Sequence, residues 1–473
     1  MAWQSDNPHL SGNFAPVQDE LTVADLEVVS GAIPPSLDGA YFRNGANPAF
    51  EPLSYTYPFD GDGMVHGVYL RGGKASYRNR FVQTPGLLAE RREGRALYGG
   101  IADPRQTRSD LLRPGDDPGP IKNGAFIHIV QQGGRLLALY EASHATAMTW
   151  ELETLGPWTA GGDAPLPLSP HTRVDPESGW RHAIAYRIDS PEVSLHAIDP
   201  SGRLRETRRF ALPAPTMLHD FVLTERYAVI VAGPVVFDLA AAQTGGGLIQ
   251  WRPELGTRIA LVPLDGGEIR WLETDPFFIF HFANGFEAAG GAGGRIVVDY
   301  VRHTRLNFGV ADPVPNEGPH LHRMEIDLAS SRIEDRRLSD LLCEFPRGNE
   351  TLESRQTRFT YAPAMAATEG EAAGSTHALM RVDGERGQQQ VRDFGKSLIG
   401  EAVFVPDPER SGEDEGYLAL FRYDPEHDSS DFLLLDARDL EADPVAVVAL
   451  PRRVPQGLHG SWVTRAAYAG GAG

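Results

Sequence analysis

Short apolar runs with the spacing of β-strands recur along the whole chain. The clearest cover residues 136–140, 227–232, 296–301, 417–423 and 432–435. Turn clusters rich in glycine, proline and aspartate separate them, for example Asp265-Gly266-Gly267. Many short strands with this punctuation predict an all-β fold.

One pair of runs, residues 259–262 and 269–271, flanks Asp265-Gly266-Gly267 and predicts a hairpin closed by a glycine turn. A barrel, a sandwich and a propeller all fit the pattern. At 473 residues the propeller is favoured, because blades can be added around one axis. No clean repeat and no WD-type signature is visible. No linker divides the chain, so we expect a single domain over residues 1–473.

Helix is scarce in the pattern. Thr84-Pro85 offers a capping residue followed by proline in the first turn, and predicts a helix running through Leu87, Leu88, Glu90 and Leu97 to Gly99-Gly100. Residues 384–390 are polar and predict a surface loop.

Composition narrows the classes of function. The net charge is −20, with 44 Lys+Arg against 64 Asp+Glu, which disfavours nucleic acid as a partner. The single cysteine, Cys343, excludes an internal disulfide and thiolate-rich metal sites. The N-terminus lacks a secretory signal and no apolar run is long enough to span a bilayer. We expect a cytoplasmic protein.

His281 stands out because it interrupts the aromatic run FFIFHF at residues 277–282. A buried neutral imidazole needs partners for both ring nitrogens. Two explanations stay open: a core histidine bonded to the backbone, or a metal ligand whose second nitrogen is held by an acceptor.

Three further histidines share this pattern of apolar residues or proline before and small, acidic or aromatic residues after. They are His171, His219 and His459. The gaps between the four are 48, 62 and 178 residues, so no two share a helical turn. As metal ligands they must come from separate blades and meet on the axis.

At these residues the sequence resembles the carotenoid cleavage oxygenase family over nearly its whole length. Besides the four histidine segments, the matching motifs are FRNGANP at 42–48, FDGDGMVH at 59–66, LLALYE at 136–141, EFPR at 344–347, GEAVFVP at 400–406 and LHG at 458–460. Each motif alone is weak. The ordered set is highly specific.

The resemblance implies a seven-bladed β-propeller with a dome of loops and short helices over one face. It implies one non-haem Fe(II) on the axis, bound by His171, His219, His281 and His459. It also implies that the carboxylates of Glu141, Glu344 and Glu401 accept the far N–H groups of the imidazoles. Such carboxylates fix the tautomers and offset the ion's charge.

The same resemblance implies that the iron activates O2, which adds across a conjugated C=C bond and cleaves it into two carbonyl fragments. Four imidazoles leave positions on the ion for this chemistry. No organic cofactor is implied. The substrate is then an apolar alkene in a tunnel with few polar groups, which we expect to be lined by Phe59, Ile127, Tyr140, Met217 and Phe280.

Two substrate classes occur in the family: carotenoids or apocarotenoids, and phenolic stilbenoids or phenylpropenoids. Phenol-cleaving relatives carry a tyrosine where this chain has Ile101, and Ile127 stands where relatives often place threonine near the open side of the iron. Lys122 is within reach of a phenolate but does not align with the family's lysine. These departures favour a carotenoid or apocarotenoid, with a stilbenoid as the alternative.

Two other classes compete with the oxygenase: a calcium-dependent propeller hydrolase, and a non-enzymatic propeller that binds partners. Neither explains the histidine set. No obligate protein partner is implied. Relatives that take carotenoids from lipid imply peripheral membrane contact, for which the predicted helix offers Leu87 and Leu88 beside Arg91 and Arg92.

Overall fold

Seven sheets of three to six strands form the blades of a β-propeller, as predicted. The computed structural model describes residues 5–244, 246–288, 294–306, 317–365 and 375–470. Within these residues two further sheets have two strands each, and they lie in the connections between blade strands.

Except for strands near the two ends of the chain, the blades follow one another around the ring in chain order. The first half comprises β1 (Thr22–Val23), β2 (Val28–Gly31), β3 (Gly39–Arg43), β4 (Met64–Arg71), β5 (Lys74–Phe81), β6 (His128–Gln132), β7 (Arg135–Leu139), β8 (Ser143–His144), β9 (Thr146–Met148), β10 (Thr154–Pro157), β11 (Pro167–Leu168), β12 (Thr172–Val174), β13 (Arg181–Arg187), β14 (Ser190–Ile198), β15 (Leu204–Ala211), β16 (Val222–Leu223) and β17 (Tyr227–Ala232). The second half comprises β18 (Val235–Phe237), β19 (Ile249–Trp251), β20 (Thr257–Pro263), β21 (Arg270–Thr274), β22 (Phe282–Ala288), β23 (Arg295–Arg302), β24 (His320–Asp327), β25 (Ile333–Leu342), β26 (Phe359–Ala364), β27 (Ala378–Asp383), β28 (Gln388–Asp393), β29 (Leu398–Ile399), β30 (Val403–Pro406), β31 (Gly416–Asp424), β32 (Ser429–Asp436), β33 (Ala446–Ala449) and β34 (Gly460–Thr464).

Blades 2 to 6 are consecutive in sequence. Blade 2 contains β6, β7, β9 and β10, blade 3 contains β12–β15, and blade 4 contains β16, β17, β20 and β21. Blade 5 contains β22–β25 and blade 6 contains β26–β28. The two-stranded sheets pair β8 with β11 and β18 with β19.

The ring closes where the two ends of the chain share sheets. Blade 1 joins β1, β5, β4 and β3 to the C-terminal β34, and blade 7 joins the N-terminal β2 to β29–β33. The closing pairs are antiparallel, with Gly39 opposite Thr464 and Val28 opposite Val448. Closure protects sheet edges that would otherwise pair with other chains.

The apolar cores lie between adjacent blades. One core combines Val229 and Leu261 of blade 4 with Ile296, Val298 and Tyr300 of blade 5, all fully buried. Because β23 is packed on both faces, it forms a nearly continuous apolar run. Burial of each such aliphatic side chain contributes about 1.5–3 kcal/mol.

The helices are α1 (Pro85–Glu93), α2 (Leu239–Gln243) and α3 (Arg465–Gly470). The Thr84 hydroxyl caps α1 by accepting from the Leu87 N–H at 3.2 Å, as predicted. The predicted extension to Gly99-Gly100 is wrong. Gly94 adopts a left-handed conformation with φ of 69° and ends the helix six residues earlier than expected. Six 3₁₀-helices in the described residues cover Pro8–Leu10, Gly12–Phe14, Pro104–Gln106, Ser109–Leu111, Pro253–Leu255 and Glu350–Leu352.

The predicted hairpin is confirmed, with β20 paired to β21 around Gly266 and Gly267, both at positive φ. The predicted loop over residues 384–390 is wrong in its last part, because β28 begins at Gln388 as the exposed edge strand of blade 6. Within the described residues, none of the helices combines the length and apolarity needed to cross a membrane.

Candidate metal centre

Each of the four candidate histidines stands at or just before the start of a strand at the edge of its sheet. His171 precedes β12, His219 lies three residues before β16, His281 precedes β22 and His459 precedes β34. These strands belong to blades 3, 4, 5 and 1, and their edges face the propeller axis. Residues far apart in sequence therefore meet at one point.

The Nε2 atoms of the four imidazoles converge. Those of His171 and His219 are 3.1 Å apart, those of His219 and His281 are 3.3 Å apart, and those of His281 and His459 are 3.0 Å apart. All four ligand atoms lie within 4.8 Å of one another, and all four residues are buried.

Three carboxylates hold the opposite nitrogens. The Nδ1 of His219 contacts Glu141, that of His281 contacts Glu344 at 2.6 Å, and that of His459 contacts Glu401 at 2.8 Å. A carboxylate only accepts, so each of these Nδ1 atoms carries the proton and the Nε2 atom presents a lone pair. The Nε2 lone pairs of His219, His281 and His459, which face one another at 3.0–3.3 Å, repel unless a cation lies between them.

The spacing fits a single ion. An ion about 2.1 Å from each nitrogen places neighbouring ligands about 3.0 Å apart and opposite ligands about 4.2 Å apart. The described residues contain no other group of three or more His, Cys, Asp or Glu close enough to hold a metal. Imidazole nitrogen suits iron, zinc, copper and nickel, so the donor set allows iron without selecting it.

The carboxylates are themselves anchored. Glu141 accepts from the Tyr186 hydroxyl at 2.7 Å, and Glu401 accepts from the Gly460 N–H at 2.8 Å. Glu344 accepts from the Phe345 N–H at 2.9 Å. These bonds fix the direction in which each carboxylate holds its imidazole.

Two further histidines belong to this centre and are not predicted by the sequence. The Nε2 of His303 contacts the second oxygen of Glu344, so Glu344 bridges His281 and His303. His128 is buried, with Nδ1 3.2 Å from the Pro170 carbonyl, next to His171. Its Nε2 lies 3.2 Å from the Gly460 carbonyl and 3.4 Å from the Ser461 hydroxyl. His128 lies between two isoleucines, which is the same signal that singles out His281.

The five residues predicted to line a substrate tunnel fall in two apolar clusters. Ile127 and Tyr140 pack with Phe126, Leu458 and Phe345, and the Phe345 ring stacks on His281 at 5.0 Å. Met217, Phe59 and Phe280 pack with Phe278, Val235 and Trp251, and Phe280 meets His219 edge to face at 5.4 Å. Both clusters therefore adjoin the candidate metal ligands.

Comparison with known proteins decides the family. The profile of the family described as retinal pigment epithelial membrane protein (RPE65) matches residues 14–464. The carotenoid cleavage oxygenase of Mycobacterium tuberculosis is 33% identical over 511 aligned positions, which cover 98% of each chain.

The chain belongs to the carotenoid cleavage oxygenase family.

Solved structures of this family have the same fold. The lignostilbene dioxygenase of Pseudomonas brassicacearum is 30% identical and superposes with a TM-score of 0.89, covering 97% of this chain and 99% of that one. The cobalt-substituted apocarotenoid oxygenase of Synechocystis is 30% identical, with a TM-score of 0.83 and coverage of 95% and 96%. Members of the carotenoid cleavage oxygenase family are alkene-cleaving oxygenases, and this chain is an enzyme of that class. The hydrolase and the non-enzymatic propeller are thereby set aside.

In this member of the carotenoid cleavage oxygenase family, burial keeps part of the candidate ligand set neutral. Burial and the neighbouring imidazoles lower the pKa values of His171 and His459 far below their ordinary value. Burial also disfavours charge on His219 and Glu344. The Glu141 carboxylate nevertheless raises the pKa of His219, and His281 with His303 hold the pKa of Glu344 well below its usual range.

A cavity of about 510 Å³ adjoins His171, His281 and His459, and both apolar and charged side chains line it. Charged residues along it are Arg173, Arg181, Arg347, Asp220, Glu350, Glu353 and Glu401. None of the five predicted tunnel residues lines it. Their contact with substrate stays a prediction.

Glu353 in this cavity gives a pH-dependent prediction. Burial raises the pKa of its carboxyl from 4.5 to about 7, although Arg173 opposes the shift. The folded chain therefore binds a proton that the unfolded chain releases, and stability falls as pH rises from about 4.5 to 7, by at most about 3 kcal/mol. Glu353→Gln is expected to remove this loss.

The measurement is urea unfolding of wild type and Glu353→Gln at pH 5 and pH 8. The unfolding free energy of the variant minus that of wild type should be larger at pH 8 than at pH 5. The same difference in unfolding free energy at both pH values would contradict the prediction.

Proposed function

We propose that this protein is a non-haem Fe(II)-dependent dioxygenase that cleaves a conjugated C=C bond of a carotenoid or apocarotenoid with O2. His171, His219, His281 and His459 hold one ferrous ion per chain. The supporting observation is the convergence of four buried Nε2 atoms, three of which carry lone pairs fixed by carboxylates. The related apocarotenoid oxygenase also accepts a metal, since its structure is cobalt-substituted.

The bound ferrous ion supplies the redox chemistry that activates O2 for addition across the alkene. The C=C bond and the O–O bond break, and each former alkene carbon takes one oxygen atom. Two carbonyl products balance the reaction without a reductant or a net proton. No organic cofactor is required.

The protein's own groups prepare the site for this chemistry. Glu141, Glu344 and Glu401 keep the protons of their histidines on Nδ1, so that the Nε2 lone pairs stay free. Three carboxylates also offset the double positive charge of an ion held by neutral imidazoles. Anchoring of each carboxylate limits rotation of the rings.

The apolar clusters next to the ligands supply the binding surface for a polyene. Phe280, Met217 and Phe59 adjoin His219, while Ile127 and Tyr140 adjoin His281 through Phe345. Packed aromatic and aliphatic side chains exclude water and bind an apolar chain by burying its apolar surface rather than by forming hydrogen bonds.

Polar groups that would select a phenol are occupied or missing. The Lys122 side chain is 14% exposed and bonds Asp62 at 2.6 Å and Glu90 at 2.5 Å, so its ammonium group is held by two carboxylates. By the family resemblance, Ile101 stands where phenol-cleaving relatives carry a tyrosine. These features favour a carotenoid or apocarotenoid.

A stilbenoid or phenylpropenoid is the second candidate substrate. The observation that favours it is the TM-score of 0.89 with the lignostilbene dioxygenase, against 0.83 with the apocarotenoid oxygenase. The same iron chemistry would then give aromatic aldehydes.

Product analysis separates the two substrates. The iron-loaded protein is incubated in parallel with an apocarotenal and with resveratrol, and carbonyl products are identified by mass spectrometry. We expect two carbonyl fragments from the apocarotenal, at a rate at least about tenfold above that with resveratrol, a difference of about 1.4 kcal/mol in transition-state binding. Conversion of resveratrol alone would overturn the assignment.

Peripheral contact with a membrane stays a proposal. The surface of α1 exposes Leu88, but Leu87 is buried, so the helix presents a smaller apolar face than its sequence predicts. We expect a minor fraction of the protein to float with liposomes and Leu88→Ser to reduce it. Complete retention in the aqueous fraction would count against membrane contact.

A further inference from the structure

A buried ion pair lies directly behind the candidate ligands. The Arg173 Nη2 donates to the Asp220 carboxylate at 2.6 Å. The same guanidinium donates to the carbonyl of Phe221 at 2.8 Å and to that of Phe282 at 3.2 Å. The Arg173 side chain is 11% exposed and that of Asp220 only 1%.

Asp220 completes the connection. One of its oxygens accepts from the Phe221 N–H at 2.7 Å, and the other accepts from the Phe282 N–H at 3.0 Å. The carboxylate therefore bonds its own segment, the guanidinium and the next blade at once.

The positions of these residues in the sequence show which segments the ion pair connects. Arg173 lies two residues after His171, Asp220 directly follows His219, and Phe282 directly follows His281. The pair thus joins the backbone of three ligand segments on blades 3, 4 and 5. We call these two residues the Arg173–Asp220 brace.

His171 depends most on such a brace. The other three ligands each bond a carboxylate through Nδ1, whereas no carboxylate bonds the Nδ1 of His171 among the described residues. The ring of His171 must therefore be placed by its backbone, and Arg173 fixes that backbone through the same strand, β12.

Stability alone does not explain the pair. A buried ion pair often adds little net stability, because desolvation of both charges offsets their attraction. Its directional bonds do restrict geometry, and a metal site requires its ligands within about 0.5 Å of their working positions.

We propose that Arg173 and Asp220 are positioning residues that hold three of the four ligand segments at the spacing one metal ion requires. This inference rests on the proposed function, since it presumes that the four histidines bind a metal. The brace bonds the backbone of the ligand segments rather than any of the four imidazoles, and acts through that backbone.

The test is Co(II) binding to the full chain after removal of its metal by chelation. Asp220→Asn keeps the size of the side chain but turns one acceptor oxygen into a donor. That donor faces either Arg173 with the Phe282 N–H or the Phe221 N–H, all of which are donors themselves. We expect its dissociation constant for Co(II) to rise about 10–100-fold, the usual cost of losing groups that orient metal ligands. The visible absorption bands of the bound Co(II) should also shift, because the ligands move.

Arg173→Lys is the companion variant. A lysine keeps the charge beside Asp220 but cannot also reach the carbonyls of both Phe221 and Phe282 with a planar fork. It should bind Co(II) with an affinity between those of wild type and Asp220→Asn. If Asp220→Asn does not fold, the inference is tested on Arg173→Lys by its dissociation constant for Co(II) and its visible absorption spectrum.

The matched control is Asp299→Asn. Asp299 and Arg323 form another buried pair, with two bonds of 2.7 Å, on neighbouring strands of blade 5. Among the hydrogen bonds of the described residues, that pair reaches Gly384 and none of the ligand segments. Its loss should lower the melting temperature while leaving the affinity for Co(II) and the spectrum unchanged.

Wild-type affinity and spectrum in the folded brace variants would overturn the inference, as would equal weakening of Co(II) binding in Asp299→Asn. Either result leaves the proposed function intact. A wild-type chain that binds no Co(II) overturns the proposed function itself, and the brace with it.

Discussion

His281→Ala is expected to abolish stoichiometric metal binding and to lower alkene cleavage about a thousandfold or more. The Nε2 of His281 is within 3.3 Å of that of His219 and 3.0 Å of that of His459, so the imidazole occupies the middle of the cluster. A metal ion contributes several kcal/mol to its reaction, and each step of about 1.36 kcal/mol is a factor of ten in rate. Metal analysis and product formation are measured on the same preparation.

The control for this variant is His427→Ala. His427 lies on the surface with a side chain 74% exposed and should keep both metal and activity. Melting temperatures with and without metal show whether His281→Ala is folded, because a ligand that binds only the native state raises the melting temperature of wild type alone. One tightly bound metal per chain in His281→Ala would contradict the ligand role.

Glu344→Gln is expected to lower metal affinity and activity about 10–100-fold. Glu344 bonds His281 and His303 through different oxygens and also accepts from the Phe345 N–H. Glutamine has nearly the same volume but loses the charge and one of the two acceptor oxygens, so the change weakens the hold on the imidazoles without leaving a cavity.

Glu344→Ala should be worse, since it leaves two buried ring nitrogens unpaired and costs on the order of 3 kcal/mol of stability as well. His303→Gln removes the other partner of Glu344 without altering a candidate ligand, and an intermediate effect is expected. Metal titration and urea unfolding report the two quantities separately. Wild-type affinity in Glu344→Gln would show that the carboxylate does not act on the metal site.

The strands can be predicted from the sequence because the blades bury one or both faces. The predicted run at 227–232 is β17 to the residue, and the run at 417–423 falls within β31. The sequence does not predict β28, because no residue of this strand is fully buried. As the edge strand of blade 6 it carries exposed polar residues, QQQVRD, and shows no alternation.

The end of α1 shows a different limit. Leu97 continues the apolar spacing but lies outside the helix, because Gly94 ends α1 in a left-handed conformation. The Leu97 N–H donates instead to the side chain of Glu90. A glycine inside a periodic pattern is compatible with a helix that continues and with one that ends there, and tertiary packing decides between them.

The candidate ligands and their carboxylates can be proposed from motifs, because each motif carries its residue locally. His303 cannot, since its role arises from the pairing that places Phe278 opposite His303 and from Glu344 on another segment. The Arg173–Asp220 brace is non-local in the same way. Each half looks like an ordinary surface charge until the blades bring the two together.

The central claim is that four imidazoles from four blades hold one ferrous ion. Its most direct test is metal analysis of the full chain, reconstituted with Fe(II) without oxygen and freed of excess metal, with X-ray absorption at the iron edge. We predict one iron per chain surrounded by four nitrogen neighbours at about 2.1 Å. Substoichiometric iron, or iron coordinated mainly by oxygen, would contradict it.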